Sequence, residues 1–283
     1  MIKLFAIDMD GTLLNSEDKI SPSTNEAIKN LNKAGVKTVL TSGRVMSSLI
    51  ITSKILGIDN PMVANNGALI KLDSKKSLSE YPLEDVHIKE LIEFCEDHKF
   101  IFHFYDEDTF YSNRLDEDRL KHLKLDNDYG LNYQCNISIT EDPYKYLKEK
   151  GKPAYKILIG CLNSHPYGEE KAVEIIKEAF ADKLYVTSSG PGAIEIMEPH
   201  VNKWEGIKIL ADHLGIKSDE IAAIGDSYND LPMVENAHLG FAMGNGNEKI
   251  KEVANHVVAD NNSTGIKQAA DIILKYNKEN SSV

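Results

Sequence analysis

The chain has 283 residues, enough to bury one large core or two ordinary ones without disulfide staples. Its 44 acidic side chains against 32 lysines and arginines give a net charge of -12, which argues against nucleic acid as a partner. No apolar run approaches the length of a bilayer span, and the acidic residues soon after Phe5 do not fit a secretion signal, so a cytoplasmic chain with no membrane partner is expected.

Phe5, Ala6 and Ile7 read as a buried strand. Ala27, Ile28, Leu31 and Ala34 then recur at helical spacing after the cap candidates Ser21 and Ser23, and Gly35 stops the helix. A strand over 36–40, a helix over 49–56 ended by Gly57 and a strand over 62–64 follow. From 84 to 197 the character changes: this stretch holds most of the aromatic residues, Tyr105, Tyr111 and Tyr133 among them, and can support a core of its own. Its patterns predict a helix over 86–95, strands over 100–105, 109–112 and 156–159, and a helix over 170–180. Beyond it, Trp204, Ile207, Ala211 and Leu214 form one helical stripe ended by Gly215, and strands are expected at 221–224, 239–242 and 256–258. The polar tail from Asn277 to Val283 is expected to fray. Strand–helix alternation at both ends predicts an α/β chain. Its core would be a Rossmann-like doubly wound parallel sheet over 1–83 and 198–283, with an inserted α+β domain over 84–197. Cys95, Cys135 and Cys161 lack CxxC spacing and read as buried free thiols.

Asp8, Met9, Asp10, Gly11, Thr12 and Leu13 follow the first strand at once. Side chains two apart on extended backbone point the same way, so Asp8 and Asp10 should face one region beyond a strand tip, where parallel sheets bind ligands. Paired carboxylates repel unless a cation or a shared proton intervenes, and a hard divalent ion such as Mg2+ is the economical partner. The plainer alternative is a surface turn. Gly225, Asp226, Ser227, Tyr228, Asn229 and Asp230 follow a later strand in the same way, either converging with the first cluster or capping the next helix. Thr41, Ser42, Gly43 and Arg44 also follow a strand, where the Ser42 hydroxyl and free amides suit phosphate oxygens or helix capping equally. Lys203 opens the Trp204 helix, at a place where a lone lysine is ordinarily a solvated charge.

Taken together, DMDGTL at Asp8 to Leu13, SGR at Ser42 to Arg44, Lys203, and GDSYND at Gly225 to Asp230 resemble the four ordered motifs of the haloacid dehalogenase superfamily. Their order and separations are similar to those of the Cof-type branch, with an α/β cap inserted between the second and third motifs. The Asn65, Asn66, Gly67 turn and Met243, Gly244, Asn245 are supporting local matches. The resemblance implies a Mg2+-dependent phosphatase in which Asp8 is the nucleophile and Asp10 the general acid and base. It further implies that the Met9 amide, Ser42, Gly43, Lys203 and Asn229 bind the phosphoryl group. The ion would be held by Asp8, the Asp10 main-chain carbonyl, Asp226 and Asp230. Arg44 is implied to support the fold around its motif.

The expected substrate is a small phosphorylated metabolite: a sugar phosphate, a nucleotide or a phosphorylated cofactor. No obligatory protein partner is evident, and the cap aromatics are expected to form its core rather than a stacking surface. Ser42 stands where the motif usually has threonine and keeps the hydroxyl; Trp204 stands where glycine is frequent and reshapes the pocket rim. A phosphomutase of the same superfamily is an alternative, for which the cap segment offers Arg114 and Arg119 as phosphate clamps. Another is a phosphoacceptor module without turnover, against which Asp10 and the insertion count.

Overall fold

A computed structural model describes residues 1–112 and 136–281. The expectations that fall on Arg114, Arg119, Tyr133 and Cys135 lie outside these residues. Strands β1 (Leu4–Asp8), β2 (Lys37–Thr41) and β3 (Met62–Ala64) run parallel, and the chain then folds back through β4 (Leu69–Lys71) and β5 (Ser77–Glu80). A second set follows: β6 (Ile101–Tyr105), β7 (Thr109–Ser112), β8 (Asn136–Ile139), β9 (Lys156–Gly160), β10 (Tyr185–Thr187) and β11 (Ile194–Met197). The chain then returns to the first sheet through β12 (Ile221–Gly225), β13 (Leu239–Ala242) and β14 (His256–Val257).

The first sheet has eight strands in the order β14-β13-β12-β1-β2-β3-β4-β5. Strand order reverses between β1 and β12, the switch point where a parallel sheet opens a crevice. Register sets the height of that crevice: Ile7 pairs with Leu40 on one side and Ile224 on the other, so three carboxyl ends finish level.

Alternation along β1 buries both faces, as a doubly wound sheet requires. Phe5 and Ile7 pack with Ile28, Leu31 and Ile273 from the helices Pro22–Lys33 and Gly265–Glu279. Leu4 and Ala6 pack with Ile207, Leu210 and Met233 from the helices Lys203–His213 and Leu231–Asn236. Ser21 caps its helix, its side chain accepting the Thr24 N–H at 3.1 Å, and Gly57 closes the helix Met46–Leu56 in the left-handed conformation.

In the second sheet the order is β10-β11-β9-β6-β7-β8. Phe102, Phe104, Ile157, Ile159, Ile194 and Ile196 form one face, packed with Leu91, Cys95, Ile176 and Phe180 of the helices Asp85–Asp97 and Glu169–Phe180. Most described aromatics of this segment are thus core, while Tyr105 lies on the opposite face with Lys156, Leu158 and Glu195. Cys95 is a buried free thiol whose pKa burial pushes far up; Cys161 departs from expectation, being half-buried just past the end of β9.

The expected fraying from Asn277 is corrected as far as Ser281, the last two residues of that tail lying outside the described ones. The last helix continues to Glu279, and the Asn277 side chain accepts the Ile2 N–H at 2.6 Å and donates to the Ile2 carbonyl at 2.8 Å. Among the described residues no helix is long and apolar enough to cross a membrane.

Candidate active site

Three strand tips and one helix start meet at the switch point. Asp8 ends β1, Ser42 and Gly43 follow β2, Asp226 follows β12, and Lys203 begins the helix Lys203–His213. That helix is brought close by Gly206, where a Cβ would lie 2.7 Å from Val63 Cγ1 and 2.9 Å from Gly67 Cα. Its N-cap is Asn202, whose side chain accepts the Glu205 N–H at 3.0 Å.

Lys203 is fully buried, and its ammonium donates to Asp8 Oδ1 and to Asp230 Oδ1, each at 2.6 Å. The other Asp230 oxygen accepts the main-chain N–H groups of Asp226 and Ser227, both at 3.0 Å. Asp230 therefore serves the turn and the lysine together, and the two readings of its motif are not exclusive. Asp226 accepts from Thr12 Oγ1 and Ser227 Oγ, each at 3.0 Å. Gly11 lets β1 turn away beside it: the residue has φ +76°, and a Cβ there would lie 2.6 Å from Asp226 Oδ2.

Carboxylate oxygens of Asp8, Asp226 and Asp230 lie within 4.8 Å of one another. Burial first, then the Asp230 charge, hold the Asp8 carboxyl well above its ordinary range, with Lys203 pulling the other way. Burial and Asp230 also push Asp226 up to about 6. For Lys203, burial favours losing the proton, but Asp230 and Asp8 outweigh it and the net shift is upward. One ammonium thus leaves negative charge in excess, and the hard oxygen donors around that excess suit a divalent cation.

The Asp10 carboxylate stands apart from this cluster. It is half-exposed and gripped by Arg44 at two points, Nε to Oδ2 at 2.8 Å and the terminal nitrogen to Oδ1. The strand ends at Asp8 and the chain turns at once, closed by Leu14 N–H on the Met9 carbonyl at 2.9 Å, yet Asp8 and Asp10 still line one cavity, as expected. Met9 itself is buried, its side chain in the core beneath the sheet tip.

Ser42 does not cap the following helix, which begins at Met46 with Val45 at its N-cap. Its hydroxyl accepts the Arg44 N–H at 3.1 Å, and its own N–H goes to Val63 O at 2.9 Å. Asn229 donates to Asn66 Oδ1 at 3.1 Å. Asp8, Asp10, Ser42, Gly43 and Asn229 all line a cavity of about 740 Å³ that the second sheet roofs with Tyr105, Lys156, Leu158 and Glu195. Sequence reasoning gave no site role to Lys156 or Glu195, and set Arg44 aside. The available signal was a charged residue inside each of two otherwise apolar strands, KILIG and IEIM.

Residues 5–280 match the family described as haloacid dehalogenase-like hydrolase. The 5-amino-6-(5-phospho-D-ribitylamino)uracil phosphatase YwtE of Bacillus subtilis is 30% identical, over 96% of this chain and 98% of that one. Phosphatase YwpJ of the same organism is 26% identical, over 94% and 97%. The solved structure of a haloacid dehalogenase-like hydrolase from B. subtilis superimposes with a TM-score of 0.84 at 24% identity, covering 95% of this chain and 99% of that one. The chain belongs to the haloacid dehalogenase-like hydrolase family, and it has that family's α/β fold.

Proposed function

We propose that this chain is a Mg2+-dependent phosphatase of small phosphate monoesters that works through an aspartyl-phosphate on Asp8. In this reading 1–83 and 198–283 form the catalytic core and 84–197 the cap. The observation that carries it is the buried Lys203 ammonium bound to Asp8 and Asp230, with Asp226 beside them and Asp8 lining the cavity under the second sheet.

Unit like charges 4 Å apart repel by about 4 kcal/mol at an effective dielectric of 20, so a bare aspartate cannot approach a phosphate dianion. Lys203 offsets part of that repulsion. Mg2+ held by Asp8, Asp226, Asp230 and the Asp10 carbonyl would supply the remaining positive charge for the phosphoryl oxygens. Asp8 attacks phosphorus, the bond to the ester oxygen breaks, and Asp10 gives that oxygen a proton. Asp10 then takes a proton from water as the water attacks phosphorus, releasing inorganic phosphate and restoring the Asp8 carboxylate. Ser42, the Gly43 and Met9 amides and Asn229 direct hydrogen bonds at the phosphoryl oxygens. Arg44 holds both oxygens of the Asp10 carboxylate at the cavity wall, and one of these contacts opens when Asp10 takes up the proton that it gives to the leaving oxygen.

The test is release of inorganic phosphate from a panel of sugar phosphates, nucleotides and phosphorylated cofactor precursors. The compound for which the YwtE relative is named belongs in it. Turnover that requires Mg2+ and vanishes in Asp8→Asn supports the reading; turnover retained by purified Asp8→Asn overturns it.

A further inference from the structure

Two ionisable residues stand inside the second sheet where apolar ones would pack: Lys156 opens β9 and Glu195 lies within β11. Each is 2% exposed, and they form an ion pair with each other. Burying such a pair gains little over apolar side chains of similar volume, because desolvation rivals the attraction. What else the pair binds explains its presence. Lys156 Nζ donates to the Gly43 carbonyl at 2.5 Å and lies 4.6 Å above the Tyr105 ring. Glu195 Oε2 accepts from Asn66 Nδ2 at 2.8 Å, and Asn66 Oδ1 accepts from Asn229 Nδ2 at 3.1 Å.

A buried chain of hydrogen bonds therefore runs from Gly43 through Lys156, Glu195 and Asn66 to Asn229. Its two ends sit on the loops after β2 and β12. The same turn fixes the peptide that carries the Gly43 N–H, since Asn66 N–H donates to the Ser42 carbonyl at 3.0 Å. The peptide whose carbonyl Lys156 holds carries the Arg44 N–H, which donates to Ser42 Oγ at 3.1 Å. Clearance is small: a Cβ on Gly43 would lie 3.1 Å from Glu195 Oε1 and 3.3 Å from Lys156 Nζ.

We propose that Lys156 and Glu195 are positioning residues for phosphoryl transfer, reaching down from the cap to fix the Gly43 peptides and the Asn229 amide that receive the phosphate. The inference rests on the phosphatase reading above. Misplacing a directed donor by about 1 Å costs on the order of a hundredfold in rate, so a loosened loop is readable in kinetics.

The experiment uses the full chain with Mg2+, p-nitrophenyl phosphate and glucose 6-phosphate as two unlike esters, and orthovanadate as inhibitor. Glu195→Gln, Lys156→Met and the double variant, which leaves no unpaired charge, are each expected to lose about tenfold or more in kcat on both esters. Orthovanadate should bind more weakly in step, and the double variant should be no worse than either single one. Lys156→Arg should recover part of the loss. If the charge variants fail to fold, Gly43→Ala presses on the same contact and should lower kcat on both esters. Folded variants within twofold of the parent, or a loss confined to the KM of one ester, overturn the proposal while the phosphatase reading stands. A parent chain that releases phosphate from neither ester nor any member of the wider panel removes both.

Discussion

Lysine at the first turn of a helix faces the positive end of the helix dipole, and a fully buried lysine gives up its hydration; Lys203 does both. Asp8 and Asp230 offset those costs, so the ammonium depends on two carboxylates that crowd one another. Lys203→Met should strand two buried carboxylates and cost about 3–5 kcal/mol in urea unfolding of the metal-free chain. Asp8→Asn removes one of the crowded acids. It should lower turnover by about a thousandfold or more while leaving the unfolding midpoint equal or higher. Arg44 meets Asp10 with a planar fork that lysine cannot reproduce, so Arg44→Lys should cut kcat by about tenfold. The acid positions were legible because each motif follows an apolar strand, whereas Lys203 was legible only through the resemblance to the family's ordered motifs. Lys156 and Glu195 were not, because what they bind, Gly43 and Asn66, lies 113 and 129 positions away in the chain and only folding brings them together.

At the scale of elements, periodicity carried the strands and helices that line the switch point: β1, β2, β3, β12 and the helix Lys203–His213. It was silent on β4, β5, β10 and β11, strands of three or four residues each with at least one polar residue, whereas the equally short β3 is wholly apolar. The last helix was missed for another reason: its polar end read as a tail, although Ile266, Ala269 and Ile273 pack it into the core and Asn277 pairs with Ile2. How close two elements approach was also invisible in the pattern. Gly206 is where the lysine helix touches the turn after β3, so Gly206→Ala should overpack that contact. The expected costs are about 1–3 kcal/mol in denaturant unfolding and a fall in kcat, because Lys203 moves with the helix. Unchanged stability and kcat would mean that the helix is not set by this contact.

Across the whole molecule, charge is the organising problem: an acidic chain gathers three carboxylates at one point and keeps a single ammonium among them. A cation bound there should stabilise the fold by about 2.7 kcal/mol at a hundred times its dissociation constant. Thermal unfolding with Mg2+, reversed by chelator, measures this. The pH dependence has a defined sign. In the metal-free chain Asp226 titrates at about 6 when folded, against an ordinary 3.8. The folded state therefore holds a proton in that window that the unfolded chain has lost, and stability falls as pH rises through it. Mg2+ competes with that proton, so the thermal gain on adding the ion should be largest above about pH 6 and shrink below it.

In the proposed mechanism a lysine-paired aspartate at the tip of β1 takes the phosphoryl group. Quenching the chain during Mg2+-dependent turnover of a phosphate monoester, then locating the added phosphoryl mass by peptide mass spectrometry, tests it most directly. The expected result is a phosphoryl group on Asp8, absent without Mg2+ and absent in Asp8→Asn. Phosphorylation of a different residue, or steady phosphate release from a chain that loses none of it when Asp8 is replaced, would contradict the account.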